Sequence, residues 1–206
     1  AKFTFSGVSS HAASAPDRGR SALDAVEAMN FMVNLLREHV PTSTRLHYVI
    51  TNGGSAPNVV PNTAQSFYYV RHPNETTLRE IWDRVMATAE AAAVGTGTSM
   101  SYEIIHGNYS VLPNDTLAKV MHAKLSSVGG VEYSEADEVF AAEISKTLPT
   151  GAYTQGRAAE IKPFETGQRG NGSTDVGDVS WTVPTVGMST ATVSYTHLTL
   201  PTRDEV

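Results

Sequence analysis

Hydrophobic and polar positions alternate or recur with two periods along the first hundred residues. From Ala1 to Val8, Phe3 and Phe5 alternate with polar residues, the period of a half-buried strand. Between Arg20 and Val40 the apolar residues fall at Ala22, Val26, Met29, Val33, Leu36 and Val40, a helical stripe that Pro41 terminates. Arg45–Thr51 returns to period two with Leu46, Tyr48 and Ile50 on one face. The segment NGGSAPNVVPN, Asn52–Asn62, is dense in turn residues. A third strand is predicted over Ala64–Arg71. A second helix is predicted over Glu75–Ala93, capped by Asn74 and ended by Gly95, with Leu78, Ile81, Trp82, Val85 and Ala89 inward. A fourth strand is predicted over Thr98–His106, apolar at Met100, Tyr102 and Ile104.

The order strand, helix, strand, strand, helix, strand predicts an α+β fold, the ferredoxin-like βαββαβ plan with two helices on one face of an antiparallel sheet. The pattern changes after about residue 108, which places a domain boundary near Gly107–Pro113. Helices are predicted over Asp115–Ser127 and, behind a Ser134/Asp137 capping box, to about Lys146. Thr147–Gly170 reads as loop. Asn171–Thr192, NGSTDVGDVSWTVPTVGMSTAT, reads as a Gly/Ser/Thr turn, an acidic pair and a short apolar strand.

Composition narrows the classes. With 206 residues, 40% hydrophobic and 17% charged, the chain has material for a core. A formal net charge of −6 argues against nucleic acid or an anionic membrane as partner. Cysteine is absent, which excludes disulfides and thiolate metal ligands and fits a cytoplasmic setting. The chain opens at Ala1 directly in a strand, so an N-terminal part is expected to precede it. The last residues, VSYTHLTLPT within 193–206, look like a translated sequencing adapter, and we expect them to be foreign to the fold.

Three stretches carry candidate chemistry. In SGVSSHAASAPDRGRSALDA a lone histidine, His11, sits among small residues at a strand end, where a rigid sheet can aim it. Alone, such a histidine is ordinarily a surface or capping residue. Asn58 lies in GGSAPNVVP, and Arg71 ends the strand YYVRHP on the face shared with Phe67 and Tyr69. Taken alone, Asn58 is as readily a turn residue and Arg71 a solvated charge. Gly172, Ser173, Thr174 and Asp175 form a turn with no nucleotide-loop lysine after it.

Together and in this order, these motifs resemble the dinuclear metallopeptidase and amidohydrolase family that includes carboxypeptidase G, aminoacylase and succinyl-diaminopimelate desuccinylase. YVITNGGSAPNVVPNTAQSFYYVRHP and GSTDVGDVSW look most like its aminobenzoyl-glutamate hydrolase branch. The resemblance implies a lid or dimerisation domain over 1–108 and the C-terminal part of a catalytic domain over 109–192. It implies hydrolysis of the amide of an N-acyl or N-aroyl amino acid, by a homodimer. His11 would be the catalytic residue, donating a hydrogen bond across the dimer to the oxyanion. Asn58 would orient the substrate, and Arg71 would clamp its carboxylate through a planar guanidinium fork. Gly172, Ser173 and Thr174 would line the substrate pocket. Two divalent metal ions, zinc or manganese, would be held by His-x-Asp, Asp and Glu-Glu motifs of the N-terminal half. Those motifs are absent from this sequence, so the chain alone is expected to be inactive. His47, His72, His106 and His122 read as incidental, and neither Asp175, Asp178 nor His197 is assigned as a ligand. The alternative from another class is a non-catalytic ferredoxin-like module for ligand binding or oligomerisation.

Overall fold

A computed structural model of the chain describes residues 1–147, 159–167 and 174–189. The Thr147–Gly170 loop is therefore described only in part. Gly172, Ser173, His197 and the adapter-like tail lie outside the described residues. Two compact units divide the chain, Ala1–Gly107 and Asn108–Val206.

The first unit is an α+β layer pair. Its strands are β1 (Lys2–Ser6), β2 (Arg45–Asn52), β3 (Thr63–Arg71) and β4 (Ser99–Glu103), and its helices are α1 (Ala22–Leu36) and α2 (Glu75–Thr96). The sheet runs β2-β3-β1-β4 with every neighbour antiparallel, the ferredoxin-like order expected from the sequence. Alternation decides its faces. Phe3, Phe5, Leu46, Ala64, Ser66 and Tyr68 point to the helices and are buried, while Lys2, Arg45, His47, Phe67, Tyr69 and Arg71 occupy the alternate positions. The predicted α1 stripe is the buried stripe from Ala22 to Leu36, and Val40 is only partly covered.

Caps set the helix ends. Ser21 Oγ accepts from Asp24 N at 3.1 Å to open α1, and Asn74 Oδ1 accepts from Thr77 N at 3.0 Å to open α2. Two predicted ends move. Gly95 does not stop α2: the helix runs to Thr96, and Gly97, at φ 65°, takes the left-handed position that closes it. β4 stops at Glu103, because β1 offers no pairing beyond Lys2, and Ile104 is left exposed. One buried polar group sits inside this core: Asn30 Oδ1 of α1 accepts hydrogen bonds from the Tyr68 hydroxyl and from Ser66 Oγ.

The second unit contains α3 (Asp115–Val128), α4 (Glu135–Ser145) and α5 (Val176–Ser180). The expected Ser134/Asp137 capping box is present at α4. The short apolar strand expected within Asn171–Thr192 is absent from its described residues; a one-turn helix stands there instead. Asp175 is its N-cap, Thr174 Oγ1 just before it accepts from Val176 N at 3.2 Å, and residues 182–189 pair with no described strand.

Candidate functional site

Beyond β1 the chain does not simply become loop. Gly7 N donates to Asn62 O at 2.9 Å, and Val8 and Arg20 exchange both backbone hydrogen bonds at 2.8 and 2.9 Å. Val60 N donates to Ser10 O at 2.9 Å, and Ala12 N to Asn58 O at 3.0 Å; His11 and Val59 are bridge partners. Residues 7–12 and 58–62 thus form an irregular ribbon that prolongs the β1–β3 pairing. Only a glycine fits at position 7, because a Cβ there would overlap the Arg20 carbonyl oxygen.

This ribbon fixes the chemistry of His11. Its Nδ1 accepts hydrogen bonds from Ala13 N (3.2 Å) and Ser14 N (3.3 Å). An imidazole nitrogen that accepts cannot carry the proton, so the neutral ring holds it on Nε2. The ring is exposed, and Nε2–H makes no hydrogen bond among the described residues. A donor is thus held in a set orientation with its proton facing outward. Asn58 stands beside it on the facing strand of the ribbon. Its backbone carbonyl is used by Ala12 and its carboxamide is exposed, leaving both a donor and an acceptor open among the described residues. An open cavity of about 500 Å³ adjoins the ribbon, bounded by residues 53–57 and 59–61 with Ala12, Ser21, Leu23 and Asp24.

Arg71 is elsewhere. It ends β3, directly opposite Arg45 of β2, with its guanidinium 5.2 Å from the Tyr69 ring centroid. Eight residue steps along β3 separate it from Thr63, where the ribbon begins, a span of ~26 Å at the usual strand rise. The structure brings His11 and Asn58 together and leaves Arg71 at the other end of the same sheet. One small substrate cannot touch both ends of one copy. Arg45 is not singled out by the sequence, because register is invisible until strands pair; its side chain donates to the carbonyls of Thr42 and Thr44, both at 2.8 Å.

In the second unit, the Thr174 hydroxyl accepts from the backbone N–H of Val176. Asp178 Oδ1 accepts from Tyr109 N at 2.8 Å, Ser180 Oγ accepts from Leu112 N at 2.8 Å, and Trp181 Nε1 donates to Ser110 O at 2.9 Å. Asp178 therefore anchors backbone. Among the described residues no group of three or more His, Asp or Glu side chains converges to hold a metal ion. The two metals implied by the resemblance find no set of ligands there. Nor is any helix among the described residues long and apolar enough to cross a membrane.

Comparison with known proteins adds a family, two relatives and a solved structure. A family described as the peptidase dimerisation domain matches residues 1–97. A p-aminobenzoyl-glutamate hydrolase subunit of Escherichia coli (strain K12) is 38% identical, covering 89% of this chain and 44% of that protein. The Xaa-Arg dipeptidase of Mus musculus is 30% identical, over 86% of this chain and 35% of its own length. The chain thus spans less than half the length of these relatives. Among solved structures, an aminobenzoyl-glutamate utilization protein from Klebsiella pneumoniae shares the fold with a TM-score of 0.53 at 21% identity, over 64% of this chain and 33% of that one.

Proposed function

The first 97 residues of the chain belong to the peptidase dimerisation domain family, and from that premise we propose that the protein works as the lid-bearing part of an amidohydrolase. Its substrate would be an N-acyl or N-aroyl amino acid of the kind named for the Escherichia coli relative, p-aminobenzoyl-glutamate. In the reaction, water adds to the amide carbonyl, the C–N bond breaks, and the amine leaves with a proton. Negative charge builds on the carbonyl oxygen at the tetrahedral stage. A fixed N–H aimed at that oxygen lowers the barrier by about 3–4 kcal/mol. The observation that carries this reading is the His11 ring, whose Nδ1 is occupied by two backbone donors so that Nε2–H is presented outward. Asn58, alongside, would orient the amide. Arg71 would hold the carboxylate of the amino-acid half.

The metal dependence expected of such an enzyme would be supplied by residues outside this chain's described part. Association as a homodimer fits the same reading. β2 is an edge strand with Val49 and Ile50 exposed, and α1 exposes Phe31 and Leu35 one turn apart. α1 is tied to β2 by Asn34, which donates to the Tyr48 hydroxyl at 3.2 Å. The distance between His11 and Arg71 then makes sense, because the two ends of one lid would serve two active sites, one in each copy.

The test is a chimera in which this chain replaces the corresponding residues of the Escherichia coli relative, assayed for release of glutamate. His11→Ala should lower kcat about 10²–10³-fold with little change in KM. Arg71→Gln should raise KM. A folded, active chimera indifferent to His11→Ala would favour the non-catalytic module instead.

A further inference from the structure

The end of the sheet that carries Arg71 holds a second, unassigned arginine. Arg45 and Arg71 are directly opposed partners in the β2–β3 ladder and share the face turned away from the helices. The Cα atoms of such a pair lie about 4.5–5.5 Å apart, and like charges in that position repel. Neither guanidinium is ion-paired to a carboxylate among the described residues. The neighbours are neutral or basic: His47 faces Tyr69 two residues along the ladder on the same face, the His106 and Tyr69 ring centroids are 6.2 Å apart, and His72 is held by Ser43 Oγ at 3.0 Å. Glu103 sits across from Lys2, on the β4 side of the sheet. The side chains diverge as repulsion requires. Arg45 turns back to the carbonyls of Thr42 and Thr44 through Nη1, leaving Nη2 and Nε uncommitted among the described residues, while Arg71 lies over Tyr69.

We propose that Arg45 and Arg71 form a two-pronged site for an amino acid carrying two carboxylates, with Arg71 taking the α-carboxylate and Arg45 the side-chain carboxylate of an N-acylated glutamate or aspartate. Two diverging forks, each able to bind a carboxylate through paired N–H donors, match two carboxylates joined by a short chain better than one anion. The ligand removes the repulsion that the empty pair carries. The assignment of the α-carboxylate rests on the proposed role of Arg71, but the pairing of two uncompensated arginines does not. Arg45 is on this reading a specificity residue, selecting acidic amino acids over neutral ones.

The test reads binding by the 206-residue chain, so it stands whether or not the chain supports hydrolysis. Amide chemical shifts are followed while N-acetyl-L-glutamate, N-acetyl-L-glutamine or sulfate is added. The expected result is that N-acetyl-L-glutamate shifts the start of β2 and the end of β3, with an affinity about tenfold above that for N-acetyl-L-glutamine. Arg45→Gln should erase that preference while retaining the glutamine-level affinity, and Arg71→Gln should weaken both ligands. Arg45→Lys, which keeps a charge and a donor for the turn, should retain part of the preference and covers the case in which Arg45→Gln disturbs residues 42–44. Equal affinities for the two acylated amino acids would overturn the inference while leaving the Arg71 role intact. Absence of shifts at these strands, or sulfate competing as well as N-acetyl-L-glutamate, would overturn it entirely.

Discussion

Replacing Tyr68 with Phe gives a pH-dependent loss that the structure sets in both sign and size. Tyr68 is 1% exposed, and its hydroxyl donates to Asn30 Oδ1, which also accepts from Ser66 Oγ at 3.3 Å. Phe would keep the ring contacts with Phe3 (5.6 Å) and Tyr48 (5.1 Å) and lose only the hydroxyl. Because Asn30 Oδ1 retains the Ser66 donor, it is not orphaned, and the cost at pH 8 should be near the net value of one hydrogen bond, about 1 kcal/mol. Burial raises the Tyr68 pKa well above the ordinary tyrosine value; the nearby Tyr48 adds to the rise, while Arg37 and the Ser66 bond oppose it. The folded state therefore holds this proton after the unfolded chain, titrating near pH 10, has released it. That contribution is complete below about pH 10 and is lost above it at about 1.4 kcal/mol per pH unit, until the raised folded-state value is passed. At pH 11 the wild type should have lost about 1.4 kcal/mol that Tyr68→Phe cannot lose, so the two should be nearly equal or slightly reversed in stability. Trp82, in ring contact with Phe3 and Tyr102, reports on this unit. Urea titrations followed by its fluorescence, in a Trp181→Phe background, measure the difference. A cost that is the same at pH 8 and pH 11 would show that the Tyr68 proton is not held by the fold.

Three other substitutions probe separate links. Gly7→Ala should destabilise the first unit by ~2–3 kcal/mol, because the new methyl meets a backbone carbonyl that the Val8–Arg20 pairing holds in place; thermal unfolding checks it. Thr44 Oγ1 is buried without a hydrogen-bond partner among the described residues, so Thr44→Val should be neutral or stabilising by up to about 1 kcal/mol in the same assay. Phe31→Asp, on the exposed turn of α1, should shift the chain from dimer to monomer in analytical ultracentrifugation without altering its circular dichroism. Dissociation unchanged by that charge would place the interface elsewhere.

The elements were legible where one physical rule acted alone. The α1 stripe from Ala22 to Leu36 and the β3 alternation from Ala64 to Val70 each reflect a single buried face, and both were readable from period. Ends were less so. Gly95 and Gly97 are equal candidates on paper, and only the backbone shows which one takes positive φ. A short apolar strand was expected within Asn171–Thr192, but a strand needs a neighbour to pair with, and the described residues hold a turn of helix at Val176–Ser180 instead. At the candidate site, His11 and Asn58 were visible as residue types, whereas their adjacency comes from ribbon pairing between segments about fifty positions apart. The proton position on His11 and the opposition of Arg45 to Arg71 were beyond reach, because both depend on backbone geometry and register.

Mixed-dimer complementation tests most directly whether an imidazole from one lid works on the amide held by another copy. Two inactive chimeras would be combined, one carrying His11→Ala and the other with an intact lid but an inactivated upstream catalytic half. Glutamate release is expected to return on mixing, since a mixed pair contains one intact upstream half facing one intact His11. A mixture as inactive as its components, with mixed dimers shown to form, would mean that His11 does not act across the dimer.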